Sequence, residues 1–132
     1  VLSMQYLNMS GGDVFNFAVR TEPIAINKII NDFKVSKDDI DFFFLHQANK
    51  YILSTISKRL KLPSSKLPNS IISEYGNQSS ASIPCTINET LNKGESKFCL
   101  LSGFGVGLSW ASMICNLELE YCPKPMVFGS KI

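Results

Sequence analysis

The run Phe42-Phe43-Phe44-Leu45 is unbroken, apolar and aromatic, the pattern of a strand buried on both faces; it predicts a strand over Ile40–Leu45. Directly after it the apolar period changes. Ile52, Leu53, Ile56 and Leu60 fall at helical spacing and predict a helix over Asn49–Leu60. Lys58-Arg59-Leu60-Lys61 supplies the cations that favour a helix C-terminus. Upstream, Leu2–Leu7 reads as a strand and Ser10-Gly11-Gly12-Asp13 as turn chemistry. Val14, Phe15, Phe17 and Ala18 follow, and then Ile24, Ile26, Ile29, Ile30 and Phe33 form a helix-like group that Pro23 opens or interrupts.

Downstream of the loop bracketed by Pro63 and Pro68, a short strand is expected at about Ser70–Ser73. Gln78–Leu91 reads as a helix rich in small residues, which allow close backbone approach, with Pro84 in its first turn. Lys97–Ser102 and Leu108–Leu119 are the last strands, joined by Gly103-Phe104-Gly105-Val106-Gly107. The alternation Asn116-Leu117-Glu118-Leu119-Glu120 suits a sheet surface partly in water. Strands alternating with helices imply a mostly parallel α/β sheet, here of five strands, finished by an antiparallel hairpin.

Composition changes this picture little. A chain of 132 residues, 45% apolar and 18% charged, is one ordinary domain. A net charge of +2 makes no case for nucleic acid. No apolar run approaches the roughly 20 residues of a membrane span, and Val1-Leu2-Ser3-Met4 lacks the basic start of a signal peptide. The chain opens on Val1, at or just before a strand, so a piece of a longer polypeptide is expected. Cys85, Cys99, Cys115 and Cys122 form no Cys-x-x-Cys pair, and His46 is the only histidine. No metal site is expected from such a set, and thiols in apolar contexts read as reduced and cytoplasmic.

Candidate chemistry gathers at His46. It stands at a strand-to-helix switch, where open α/β sheets place their sites. His46-Gln47-Ala48-Asn49, Gly76-Asn77 and Gly103–Gly107 should each end a strand on one sheet edge. An imidazole, a carboxamide and a flexible backbone loop supply neutral hydrogen-bond donors without an acid, metal or nucleophile. That set suits stabilisation of an oxyanion or enolate. Plainer readings stand beside it. A lone histidine at a strand end can be a packed or capping residue, and Asn after Gly is common in turns. The glycine run is followed by a strand, so the dinucleotide fingerprint fails and a tight bulged hairpin is the alternative. Lys50, Lys58, Arg59 and Lys61 form either a docking patch or a solvated helix face. Ser79 and Ser80 fit no serine-hydrolase pattern.

Four blocks, 9–20, 41–49, 75–84 and 103–110, together resemble the C-terminal half of a β-ketoacyl-acyl carrier protein synthase III, one of the thiolase-like condensing enzymes. The most specific are His46-Gln47-Ala48-Asn49 and Gly76-Asn77-Gln78-Ser79-Ser80-Ala81-Ser82-Ile83-Pro84. The resemblance implies half of a thiolase-like fold over residues 1–120, with helices on both faces of the five-stranded mixed sheet and an irregular tail over 121–132. It implies a ping-pong reaction: a cysteine accepts an acyl group from acyl-CoA, and malonyl-acyl carrier protein is decarboxylated and condensed onto it. His46 and Asn77 then correspond to the histidine and asparagine of a Cys-His-Asn triad. Asn49, with Gln47 and Lys50 beside it, corresponds to the contacts of the pantetheine arm and carrier protein, and the backbone N–H of Val106 to part of an oxyanion hole. The coenzyme A and carrier-protein thioesters are substrates, and no cofactor is implied.

Two departures accompany the resemblance. The nucleophilic cysteine of such enzymes lies in the N-terminal half, outside these residues, and none of the four cysteines present takes its place. Tyr51 stands where many relatives carry an arginine that meets the carrier protein. The N-terminal half and, in the complete protein, a second copy are the expected partners, and apolar surface normally covered by that half should be exposed here. The competing expectations are a non-catalytic thiolase-like module for dimerisation or carrier-protein binding, and a condensing enzyme of a polyketide or surface-polysaccharide pathway.

Overall fold

The structure, a computed structural model, describes residues 9–121 and Pro123. Along the chain run helix α1 (Gly11–Asp32), strand β1 (Phe42–Leu45), helices α2 (Lys50–Leu60), α3 (Ile71–Tyr75) and α4 (Ser82–Thr90), and strands β2 (Ser96–Gly105) and β3 (Ser109–Glu118). Single 3-10 turns at Ser64–Lys66 and Ser79–Ala81 precede α3 and α4.

The sheet is mixed, in the order β1-β2-β3. β1 runs parallel to β2, with Phe42 opposite Cys99 and Leu45 opposite Ser102. β2 and β3 form an antiparallel hairpin from Ser96–Glu118 to Gly105–Ser109. Three strands are therefore present among the described residues where the sequence predicts five. The one expected at Leu2–Leu7 lies outside the described residues. The one expected at Ser70–Ser73 is instead the start of α3, a helix of five residues. Ile71 is its one buried side chain; with so short an apolar segment, helical and strand periodicity read alike.

The two faces of β1 explain its unbroken apolar run. Phe43 and Leu45 point to one face, where with Leu100 and Phe104 they pack on Ala18, Ile26 and Ile30 of α1 and Ile52, Leu53, Ile56 and Leu60 of α2. Phe42 and Phe44 point the other way, joining Cys99, Leu101 and Leu91 against Ile83 and Ile87 of α4. Helices thus cover both faces. Each fully buried Phe or Leu contributes about 1.5–3 kcal/mol by leaving water.

α1 departs from expectation. It begins at Gly11, in the segment read as a turn, and continues for 22 residues straight through Pro23. Proline has no N–H for the carbonyl four residues back, and here that carbonyl, on Val19, accepts a hydrogen bond from Arg59 Nη1 of α2 at 3.0 Å. A partner distant in sequence restores what the proline removes, so the helix is not broken.

The hairpin is also longer than predicted. Gly103, Phe104 and Gly105 pair with Ala111, Trp110 and Ser109, leaving only residues 106–108 as its turn. Gly107 is required there: its φ is +144°, and a Cβ would lie 2.9 Å from the Ser109 nitrogen. Apolar side chains are exposed on this hairpin, Val106 at 94%, Trp110 at 51% and Met113 at 52%. No helix among the described residues is long and apolar enough to cross a membrane.

Candidate active site

His46 leaves the end of β1 with its backbone still in the ladder, its N–H donating to the Ser102 carbonyl at 2.9 Å. The chain then turns, Ala48 N–H bonding to the His46 carbonyl at 3.0 Å, before α2 begins. Asn49 caps that helix: Oδ1 accepts from the Ile52 N–H at 2.8 Å, which leaves its amide N–H2 as the outward donor.

The ring of His46 is half-buried. Its Nδ1 lies 2.7 Å from Ser82 Oγ, and Phe104 meets it edge to face with centroids 5.2 Å apart. Phe17 of α1 packs edge-on to both Phe104 and Trp110, continuing an aromatic wall beside the site. Burial lowers the imidazole pKa below its ordinary value near 6.5, while a hydrogen bond with the Ser79 backbone pushes it the other way. The lowered value keeps the ring neutral at pH 7.

Asn77 follows Gly76, whose φ of +69° ends α3. Its Oδ1 accepts from the Ser79 N–H at 2.9 Å. That bond assigns the orientation of the carboxamide: the oxygen is engaged by backbone, and among the described residues the N–H2 end has no hydrogen-bond partner. Asn77 does not end a strand, as expected, but sits between α3 and the turn that opens α4. Ser79 is common to both side chains, bonding the Asn77 carboxamide and standing against the His46 ring.

The other expected site residues take different positions. Gln47 is completely buried. Its Nε2 donates to the carbonyls of Leu45 at 2.8 Å and Pro68 at 3.3 Å, bracing the turn from inside. Expected as a substrate contact, its side chain is a brace, because a carboxamide directed inward finds backbone acceptors there. Lys50 is exposed on the first turn of α2, and Val106 sits at the tip of the β2–β3 hairpin. Tyr51 is 69% exposed and stacks on Phe15 of α1, with centroids 5.3 Å apart and rings 13° from parallel.

Among the described residues no group of three or more His, Cys, Asp or Glu is placed to hold a metal ion. Burial, then the neighbouring Cys115, pushes the Cys99 thiol up to about 12, which makes it a poor nucleophile. What the site offers is neutral donors on a partly dry wall. Such a set can stabilise negative charge developing on an oxygen, without moving a proton to or from carbon.

The model of the 3-oxoacyl-[acyl-carrier-protein] synthase III C-terminal family matches residues 30–117. The chain belongs to this family. It is 39% identical over 122 residues to a beta-ketoacyl-[acyl-carrier-protein] synthase III of Streptococcus agalactiae serotype III (strain NEM316), a match covering 89% of this chain and 38% of the relative. The enzyme of the same name from Porphyra umbilicalis is 40% identical over 115 residues, covering 85% and 35%. The crystal structure of a 3-oxoacyl-(acyl-carrier protein) synthase from Burkholderia xenovorans LB400 superposes with a TM-score of 0.87 at 36% identity, over 92% of this chain and 36% of that one. The chain thus spans somewhat over a third of the length of these synthase III relatives, and its fold is that of their thiolase-like C-terminal part.

Sequence reasoning did not single out Ser82, Phe104 or Glu22. Glu22 of α1 is fully buried under the sheet, where Ser102 Oγ donates to its Oε2 at 2.6 Å. Burial raises its pKa above the ordinary 4.5, against the lowering effect of the Ser102 bond. Its one legible signal was an acidic residue beside a buried proline on an apolar helix face. Ser82 was legible only as one of several small residues.

Proposed function

We propose that these residues form the decarboxylating half of a 3-oxoacyl-[acyl-carrier-protein] synthase III, an acyltransferase of fatty acid biosynthesis. In this reading a cysteine outside these residues, in the N-terminal half of the enzyme, is first acylated by acyl-CoA. Malonyl-acyl carrier protein then enters with its thioester oxygen facing His46 and Asn77. As carbon dioxide leaves, the electron pair of the broken carbon–carbon bond passes into an enolate whose charge falls on that oxygen. His46 Nε2–H and Asn77 Nδ2–H donate to it, each such donor being worth about 3–4 kcal/mol in a preorganised site. The enolate carbon attacks the acyl-cysteine carbonyl, whose oxyanion the Val106 N–H helps to hold, and the cysteine thiolate departs. Asn49 and Lys50 line the approach of the pantetheine arm and its carrier protein.

The observation that carries this reading is the pairing of a neutral imidazole with a carboxamide whose oxygen is already engaged, both held by the segment 77–82: the Ser79 N–H bonds Asn77 Oδ1 and Ser82 Oγ meets His46 Nδ1. Two neutral donors serve an enolate; they would not serve a hydrolase, which needs a base and a nucleophile. A homodimer of the complete protein and a cytoplasmic setting belong to the same reading, the latter supported by the free thiols of Cys85, Cys99 and Cys115.

The deciding experiment uses the complete enzyme. His46→Ala should suppress malonyl decarboxylation by at least about 100-fold while cysteine acylation by acyl-CoA persists. The 132-residue chain alone should gain no acyl group from acetyl-CoA by mass spectrometry. If decarboxylation survives His46→Ala, or a stoichiometric thioester forms on one of the four cysteines present, the reading fails.

A further inference from the structure

Behind the imidazole stands a side chain to which nothing above gives a role. Ser82, the first residue of α4, is 1% exposed. Its Oγ lies 2.7 Å from His46 Nδ1 and accepts a hydrogen bond from the Gln47 N–H at 3.3 Å. One hydroxyl therefore contacts both the ring and the backbone of the turn that carries it.

A serine hydroxyl has one proton and two lone pairs. The Gln47 N–H takes one lone pair, and that bond orients the hydroxyl. Among the described residues, the acceptor within reach of its proton is Nδ1. If Nδ1 carried the ring proton instead, Ser82 would accept twice and its own buried O–H would be stranded, a poor arrangement for a buried polar group. We propose that Ser82 is a positioning residue of this site: its hydroxyl donates to His46 Nδ1, fixes the ring plane and confines the ring proton to Nε2.

The identity of this partner also sets what the histidine can do. A carboxylate behind an imidazole stabilises the charged ring and makes it a base. A hydroxyl confers no such charge stabilisation, so the ring stays a neutral donor. In a synthase the proton is thereby presented where the enolate oxygen forms; this inference deepens the decarboxylation reading and rests on it for that last step alone.

The test separates the two. In the complete enzyme with ring-labelled histidine, the imidazole nitrogen resonances of His46 are those that His46→Ala removes. At about pH 8, where a histidine is neutral, Nε2 should be protonated and Nδ1 should be a hydrogen-bonded acceptor. Ser82→Ala should give a mixture of tautomers, and Ser82→Thr, which keeps the hydroxyl, should restore the single form. In the complete enzyme, Ser82→Ala should lower the decarboxylation kcat by roughly 10- to 100-fold, the range met when the hydrogen-bond partner behind a metal-ligating histidine is lost. KM and cysteine acylation should change little, and Ser82→Thr should recover most of the rate. A protonated Nδ1 in the unsubstituted chain overturns the proposal, as does an unchanged tautomer or rate in Ser82→Ala. If Ser82→Ala fails to fold, the unsubstituted chain and Ser82→Thr still decide. A tautomer as expected together with a decarboxylation indifferent to His46→Ala would uphold the role of Ser82 and sink only the assigned reaction.

Discussion

Arg59 Nη1 donates to the Val19 carbonyl across the α1–α2 interface, and it finds that carbonyl free because Pro23 has no N–H to give it. A proline on one helix thereby creates the acceptor that registers the other. Arg59→Ala should destabilise the protein by about 1–3 kcal/mol, the cost of leaving a buried acceptor unpaired. In a Pro23→Ala background, the backbone N–H restored at that position can take the carbonyl, so the same substitution should cost less. Urea unfolding of the four proteins in this cycle measures the coupling; additive effects would show that the proline does not create the need for the arginine bond.

Two buried titratable groups give stability opposite slopes with pH. The folded His46 binds its proton less readily than the unfolded ring, so stability falls as pH drops below about 6.5, where the unfolded chain takes up protons first. Glu22 behaves the other way: its folded pKa lies above 4.5, so its contribution is best in acid and is lost as pH rises through the raised value. Glu22→Gln should therefore raise the unfolding midpoint at neutral pH and have little effect in acid. In that variant the histidine slope should dominate between about pH 5.5 and 8.

Asn77→Asp separates fold from chemistry. An aspartate oxygen can still accept from the Ser79 N–H, so stability and the turn should persist. In the proposed reaction the outward donor becomes an acceptor, and a charged one, where the enolate would form. Malonyl decarboxylation in the complete enzyme should fall by about 100-fold or more, while thermal unfolding should hardly move.

Cys99 is buried between the sheet and α4, with its thiol pushed up to about 12. Iodoacetamide at mildly alkaline pH should leave it unmodified in the folded protein and modify it once urea unfolds the chain, as peptide mass spectrometry would show. Rapid native labelling at Cys99 would contradict the packing of that face.

What was legible in the sequence was what rests on local pattern. β1 showed itself because both of its faces are apolar, and α2 because Ile52, Leu53, Ile56 and Leu60 share one stripe. The hairpin was visible in its alternation, and Pro84 does fall in the first turn of α4. The N-terminal part of α1 was not legible, because the Arg59 bond that lets it pass Pro23 comes from a residue far along the chain. α3 was misread for want of length. In the candidate site, His46, Asn77 and Asn49 drew notice by motif. Ser82 and Phe104, which surround the ring, are ordinary residue types whose importance lies in where folding brings them. Gln47 looked like a ligand contact from its neighbours; its direction along the backbone turned it inward.

The segment 77–82 holds both side chains, Asn77 through the Ser79 N–H and His46 through Ser82 Oγ, and this has an engineering consequence. Transplanting this centre to another scaffold by copying a histidine and an asparagine would leave behind the segment that aims them. An insertion or deletion anywhere in 77–82 should misdirect both together, so the two are best treated as a single inherited module whose smallest portable unit is that stretch of backbone with the end of β1.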